Sequence, residues 1–188
     1  MDVGKTSLTQ RYSKPDKPLR VEKIKTKGID TKSAYVSIFG DTSTKVQIWD
    51  TAGQEKHANI VGSYVRRTDA CLMVCDLTNE ESLRSIRKWI RDLNNQIQMP
   101  VVIIGNKSDL TQQREVSAEA LRQLGEEHNV HTFETSALTG QNVDSAFHCL
   151  IYQVLKPLLM VCDQIRVDLE AGDDRLKTAA SASVTDPQ

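Results

Sequence analysis

The chain has 188 residues, 39% of them hydrophobic and 26% charged, with a net charge of −1. That is the size and balance of one soluble domain able to bury a substantial core. A near-neutral chain has no global field to favour nucleic acid or an anionic membrane, so an anionic ligand must be held by local geometry. In chain order, Gly4 to about Tyr12 predicts a helix start with Leu8 and Tyr12 on one face. Ser13 to Gly28 is polar, holds two prolines and six lysines or arginines, and reads as a loop. Ala34–Phe39 and Val46–Trp49 are short β-rich runs flanking Gly40-Asp41-Thr42-Ser43, a hairpin signal. Cys71–Cys75 and Val101–Ile104 are continuous apolar runs, expected as strands buried on both faces of a parallel sheet. Between them Glu80–Gln98 places Leu83, Ile86, Ile90, Leu93 and Ile97 at helical spacing. Ser117–Glu127 opens on an approximate capping box, with Glu119 one place early. Thr132–Glu134 predicts a short strand and Asn142–Leu155 a further amphipathic helix. After Pro157, Leu158, Leu159, Cys162, Ile165 and Leu169 fit another amphipathic helix over 158–170, expected to dock on the domain, with a membrane or partner contact as the alternative. From Ala171 the chain is small and polar, a predicted disordered tail.

Alternating strands and helices imply right-handed βαβ units, hence an α/β fold with a mostly parallel sheet and helices on both faces. Cys71, Cys75, Cys149 and Cys162 show no paired metal-ligand spacing, and three of them sit in apolar runs, as reduced core cysteines of a cytosolic protein do. Met1-Asp2-Val3-Gly4-Lys5 is not a signal peptide, and no apolar run approaches the ~20 residues of a membrane span. Asn106-Lys107-Ser108 matches the glycosylation sequon, a pattern common by chance and without meaning in the cytosol.

Four motifs carry chemistry. Gly4-Lys5-Thr6-Ser7 stands at the mouth of a helix, where unpaired N–H groups and a partial positive charge suit phosphate. Lys5 would reach the β and γ phosphates and the Thr6 hydroxyl would bind Mg²⁺. Alone, the motif is also an ordinary helix start. Asp50-Thr51-Ala52-Gly53-Gln54-Glu55 follows a predicted strand. There Asp50 would hold Mg²⁺ through water, Gly53 would let the backbone approach the γ-phosphate, and Gln54 would orient an attacking water. Asn106-Lys107-Ser108-Asp109 follows the Val101–Gly105 strand, with Asp109 placed to accept from the N1–H and N2–H₂ edge of guanine. Adenine presents the wrong edge and would leave that carboxylate unpaired, which is how strong rejection arises. In Thr135-Ser136-Ala137 a backbone N–H is expected to reach the guanine O6. Three of these loops follow three predicted parallel strands at their C-terminal ends, where open α/β sheets bind ligands.

In order and spacing, these motifs resemble the small GTPase superfamily, a P-loop NTPase fold, over about Met1–Leu155. Within it, Lys45, Gln47, Ile48 and Trp49, then Ser63-Tyr64 with Arg66, and Gly28-Ile29-Asp30 after Thr26 resemble the Rab family. The resemblance implies a GTP/GDP switch with Mg²⁺ held by Thr6, Thr26 and Asp50, and Thr26 as the loop threonine that senses the γ-phosphate. It implies a nucleotide site of Gly4, Lys5, Thr6, Ser7, Thr26, Gly53, Asn106, Lys107, Asp109, Ser136 and Ala137. Gln54 would be catalytic. Intrinsic hydrolysis would be slow, since Arg20 lies six residues before Thr26 and an activating protein would supply the arginine. An exchange factor and effectors are the other implied partners, with a role in vesicle traffic at the cytosolic face of endomembranes.

The chain also departs from the pattern. The first glycine of Gly-x-x-x-x-Gly-Lys-Thr would fall two residues before Met1, and the strand before it is missing, so a longer sequence beginning upstream is expected. Thr31 stands where an effector-binding phenylalanine is usual, His57 replaces an aromatic, and Leu138 replaces a lysine that packs on the base. No cysteine follows Cys162, so the prenylation signal of a Rab is lacking and membrane attachment stays open. The expected organisation is a GTPase domain over 1–157, a helix over 158–170 and a tail over 171–188. Two other readings stand beside the switch: a nucleotide-defective interaction protein, and an ATP-using P-loop enzyme, which Asp109 disfavours.

Overall fold

A computed structural model describes residues 2–17, 29–39, 42–51, 67–93 and 99–161. The chain divides into two compact units, Met1–Tyr152 and Gln153–Gln188. The first begins with helix α1 (Lys5–Ser13), then strands β1 (Ile29–Phe39) and β2 (Thr42–Thr51). Strand β3 (Cys71–Asp76), helix α2 (Glu80–Leu93) and strand β4 (Val101–Asn106) follow. A short 3₁₀ turn (Thr111–Gln113), helix α3 (Ala118–His128) and strand β5 (His131–Thr135) come next. Residues 143–161 are helical, and the part of that segment up to Tyr152 is called α4.

β1 and β2 pair antiparallel, with Ala34 opposite Val46 and Asp30 opposite Asp50. The alternation predicted from sequence is visible in burial: Thr31, Ser33, Tyr35, Lys45 and Gln47 are exposed, while Ala34, Val36, Val46, Ile48 and Asp50 turn inward. Both strands run longer than their apolar stretches. Cross-strand pairing extends them through Ile29–Ser33 and Thr42–Lys45, where polar outward residues hide the signal. β2 was expected to join the parallel sheet, and here the structure differs. Among the described residues β2 bonds only to β1, and the parallel sheet is β3-β4-β5.

In that sheet β4 is central and buried throughout, as its apolar run requires. Met73, Cys75, Val101 and Ile103 face Leu83, Ile86 and Ile90 of α2 and Leu121 and Leu124 of α3 in one cluster. Val102 and Ile104, on the other face, are fully buried too, so the sheet is covered on both sides. β3 corrects the expectation of burial on both faces: Cys71, Leu72 and Val74 are only half-buried, because β3 is bonded on one side alone among the described residues. Burial pushes the Cys71 thiol up to about 11 and the Cys75 thiol to about 12. Cys75 is an inert core thiol, as its apolar run implied, and Cys71 packs against the edge of the same core.

Local chemistry sets the helix ends. Asn79 Oδ1 accepts from the Glu81 N–H at 3.0 Å, starting α2 on two acidic residues that suit the helix dipole. Ser117 Oγ accepts from the Ala120 N–H at 3.0 Å, so the serine half of the capping box forms. Glu119 instead engages Arg122 and Gln123. Asn129 closes α3 in a left-handed conformation at φ 52°. Residues 156–161 remain helical beyond the predicted end at Leu155, and Pro157 is taken into the helix at the loss of one backbone hydrogen bond. The expected helix over 158–170 is described only to residue 161, and the predicted tail lies outside the described residues.

Candidate nucleotide and magnesium site

Sheet register builds the site. Asp76 of β3, Asn106 of β4 and Thr135 of β5 stand in one row at the C-terminal ends of the three parallel strands. Open α/β sheets bind ligands at such ends. Asn106 is fully buried, which also makes its sequon unusable. Its side-chain N–H donates to the Val3 carbonyl at 2.9 Å. Its Oδ1 accepts from the Thr135 hydroxyl at 3.2 Å and from the Ala137 N–H at 3.1 Å. One amide thus ties the segment before α1 to β4, to β5 and to the turn after β5.

Gly4 caps α1 at φ 90°, a left-handed conformation, and a Cβ there would lie 2.3 Å from Asn106 Nδ2. Only glycine meets both conditions at low cost. As N-cap, Gly4 also brings no side-chain acceptor to the first-turn N–H groups, which an anion can take instead. Lys5, Thr6 and Ser7 form that first turn and are half-buried. Thr6 Oγ1 donates to Asp50 Oδ2 at 2.6 Å, linking α1 to the end of β2. Asp50 is buried, with 3% of its surface exposed. A hydroxyl and a carboxylate side by side are hard oxygen donors that fit Mg²⁺. Among the described residues no group of three or more His, Cys, Asp or Glu could hold a metal.

The loop that follows β4 is equally well tied. Asp109 Oδ1 accepts from the Ser136 hydroxyl at 2.6 Å, and Ser136 Oγ accepts from the Thr139 N–H at 3.1 Å. The Ser108 N–H donates to the Thr135 carbonyl at 3.0 Å, holding the 106–109 segment against β5. A backbone N–H of Thr135-Ser136-Ala137 was expected to reach a guanine O6; that of Ala137 is given to Asn106 Oδ1. Lys107 sits at φ 69° and forms an ion pair with Asp76. Asp76 also accepts from the Thr78 N–H at 2.9 Å and the Thr78 hydroxyl at 2.7 Å.

Sequence reasoning missed Asp76 and Arg11, and it read Thr135 only as part of a motif offering a backbone N–H, not for its hydroxyl. Asp76 had a signal, an acidic residue closing an apolar strand. Arg11 had none, because it binds backbone carbonyls, which carry no sequence identity. Thr26, Gly53 and Gln54, together with His57 and Tyr64, lie outside the described residues.

Two tests follow from these contacts. Asn106→Ala strands the Val3 carbonyl and the Thr135 and Ala137 donors in a buried site, at about 1–3 kcal/mol for each unsatisfied group. Chemical denaturation should show a loss of at least ~2 kcal/mol; a loss within ~0.5 kcal/mol, the size of an ordinary surface change, would contradict the hub. For Asp76, burial alone would raise the carboxyl pKa, but Lys107 and the Thr78 donors outweigh it and hold it below the ordinary carboxylate range. A carboxyl depressed on folding stabilises the protein above its unfolded pKa of ~3.9 and loses that contribution as pH falls below it. The stability gap between wild type and Asp76→Asn should therefore be full near neutrality and shrink as pH drops through that range. A gap constant with pH would rule this out.

The comparisons agree with this geometry. The Ras family model matches residues 1–156. The chain is 37% identical to Ras-related protein RABA6b of Arabidopsis thaliana, over 88% of this chain and 73% of that protein. It is 36% identical to Ras-related protein Rab-15 of Mus musculus, over 97% and 90% respectively. It is 31% identical to GTP-binding protein ypt3 of Schizosaccharomyces pombe, over 97% and 82%. With the loop order and the sheet register in agreement, the chain belongs to the Ras family, and within it to the Rab-type small GTPases that regulate vesicle traffic.

Proposed function

We propose that this chain binds GTP and GDP with Mg²⁺ at the row of strand ends and hydrolyses GTP slowly, alternating between two states that partner proteins read. The observation that carries the reading is the pair of links at the start of α1. Thr6 reaches Asp50 at 2.6 Å while Val3 reaches Asn106 at 2.9 Å, so a phosphate end and a base end share one helix terminus. Gly4, Lys5, Thr6 and Ser7 would take the phosphates. Thr6, Asp50 and Thr26 would hold Mg²⁺, which when bound neutralises charge on the β and γ phosphates. Asn106, Lys107, Asp109, Ser136 and Ala137 would frame the guanine. Ser136 supports the role of Asp109 by fixing one of its oxygens, which aims the carboxylate. The Ala137 N–H would have to turn from Asn106 to meet the guanine O6 directly.

Hydrolysis would proceed by attack of a water, oriented by Gln54, in line with the bond to the leaving diphosphate. Loss of the γ-phosphate would release the loops around Thr26 and Gly53, an order-to-disorder change that effectors detect. An exchange factor would reset the switch and an activating protein would speed it. No helix among the described residues is long and apolar enough to cross a membrane. Peripheral action at the cytosolic face of endomembranes is part of the same proposal. The name of the fission-yeast relative, a GTP-binding protein, supports the nucleotide, and no observation favours a nucleotide-defective interaction protein.

Titration with fluorescent GTP and ATP analogues tests this. Saturable binding of the GTP analogue alone is expected. Asp109→Ala should weaken it by at least ~10²-fold, the equivalent of two hydrogen bonds to a charged group at ~1.5 kcal/mol each. Equal binding of both analogues by the wild type would contradict the reading.

A further inference from the structure

Arg11 lies in the last turn of α1, away from the phosphate end, and the motifs assign it no role. Its guanidinium nevertheless spans three backbone carbonyls. Nε donates to the Ala137 carbonyl at 2.9 Å, one terminal nitrogen to the Leu138 carbonyl at 2.6 Å, and the other to the Pro15 carbonyl at 3.1 Å. The first two belong to the turn that follows β5. Asn106 holds the same turn through the Ala137 N–H, and Ser136 within it donates to Asp109. The turn is thus gripped between α1 on one side and the guanine-reading loop on the other. Tyr12, the next residue, stacks on Phe147 of α4 with ring centroids 4.0 Å apart, so the helix end bearing Arg11 is itself anchored.

We infer that Arg11 is a positioning residue for base recognition. It acts through the Ser136-Ala137-Leu138 turn to hold the Asp109 carboxylate in register with guanine. The inference rests on the guanine-nucleotide reading above and adds to it a residue and a direction of coupling. A planar guanidinium suits the task because its fixed fork of donors can meet several carbonyls at once. Lysine offers a single ammonium on a flexible stem and would hold the turn less firmly. Leu138 is 56% exposed, so its side chain packs little around the turn and the carbonyl clamp carries that burden. With the clamp removed, Ser136 can shift away from Asp109, and the loss falls on the base end rather than on the phosphates.

That direction gives a readout a purely structural role would not move. Guanosine diphosphate and inosine diphosphate differ only in the exocyclic N2 amine, which Asp109 would accept from. Affinities for both should be measured on the full chain for wild type, Arg11→Lys and Arg11→Gln, with the melting temperature of each protein. The wild type should prefer guanosine diphosphate. In Arg11→Gln the ratio of the two affinities should fall by about tenfold, the equivalent of one hydrogen bond to a charged group, with Arg11→Lys intermediate. A ratio unchanged in both variants, with binding retained, overturns the positioning role and leaves the function standing. A lower melting temperature with equal weakening of both ligands also overturns it, as general destabilisation. A wild type that shows no preference for guanine over adenine nucleotides would sink the function reading itself, whatever the variants do.

Discussion

The molecule turns on the buried side-chain amide of Asn106. An amide without partners in that position would cost several kcal/mol, so its three hydrogen bonds, to Val3, Thr135 and Ala137, must form together or the site must open to water. Satisfying them draws the segment before α1 onto the ends of β4 and β5. Gly4 follows from the same constraint, because the amide approaches too closely for any side chain. Around this knot lie two further polar pairs, Thr6 with Asp50 and Ser136 with Asp109, each joining elements far apart in sequence. The core beneath is apolar and ordinary. The strand ends above it are polar, buried and joined by these hydrogen bonds, which is the arrangement expected where a protein must present fixed groups to a charged ligand.

The proposed function divides along the same line. The α1 terminus offers donors suited to phosphate, Thr6 and Asp50 offer hard oxygens, and the 106–109 and 135–138 segments offer a directional acceptor for a base edge. None would be selective alone. Their value lies in being held at fixed separation by a sheet whose register sets Asp76, Asn106 and Thr135 in a row. The ion pair of Lys107 with Asp76 extends that row sideways and stabilises a lysine backbone held at positive φ.

Much of this was legible in the sequence, and the reasons are physical. The apolar run Val101–Ile104 could only be a strand covered on both faces, and β4 is that strand. Asp109 belonged to a motif whose chemistry requires its carboxylate, while Ser136 belonged to one read only for a backbone N–H; the structure brings the two side chains into contact. β3 carried the same apolar signature as β4 yet is half-buried on one face, because run composition does not report whether a strand has neighbours on both sides. The antiparallel pairing of β2 with β1 was legible in the Gly40-Asp41-Thr42-Ser43 turn between two β-rich runs. Pro157 marked a helix end that did not occur, one lost hydrogen bond being tolerable there. Arg11 was invisible because its partners are carbonyls.

The central claim is that the first turn of α1 and the turn after β5 serve one guanine nucleotide. Hydrogen exchange of the full chain, with and without GDP and Mg²⁺, tests it most directly. The account predicts that backbone amides of Lys5–Ser7 and of Ser136–Ala137 slow together on adding GDP, and that ADP at the same concentration leaves both unchanged. Protection confined to one of the two segments, or equal protection by ADP, would contradict it.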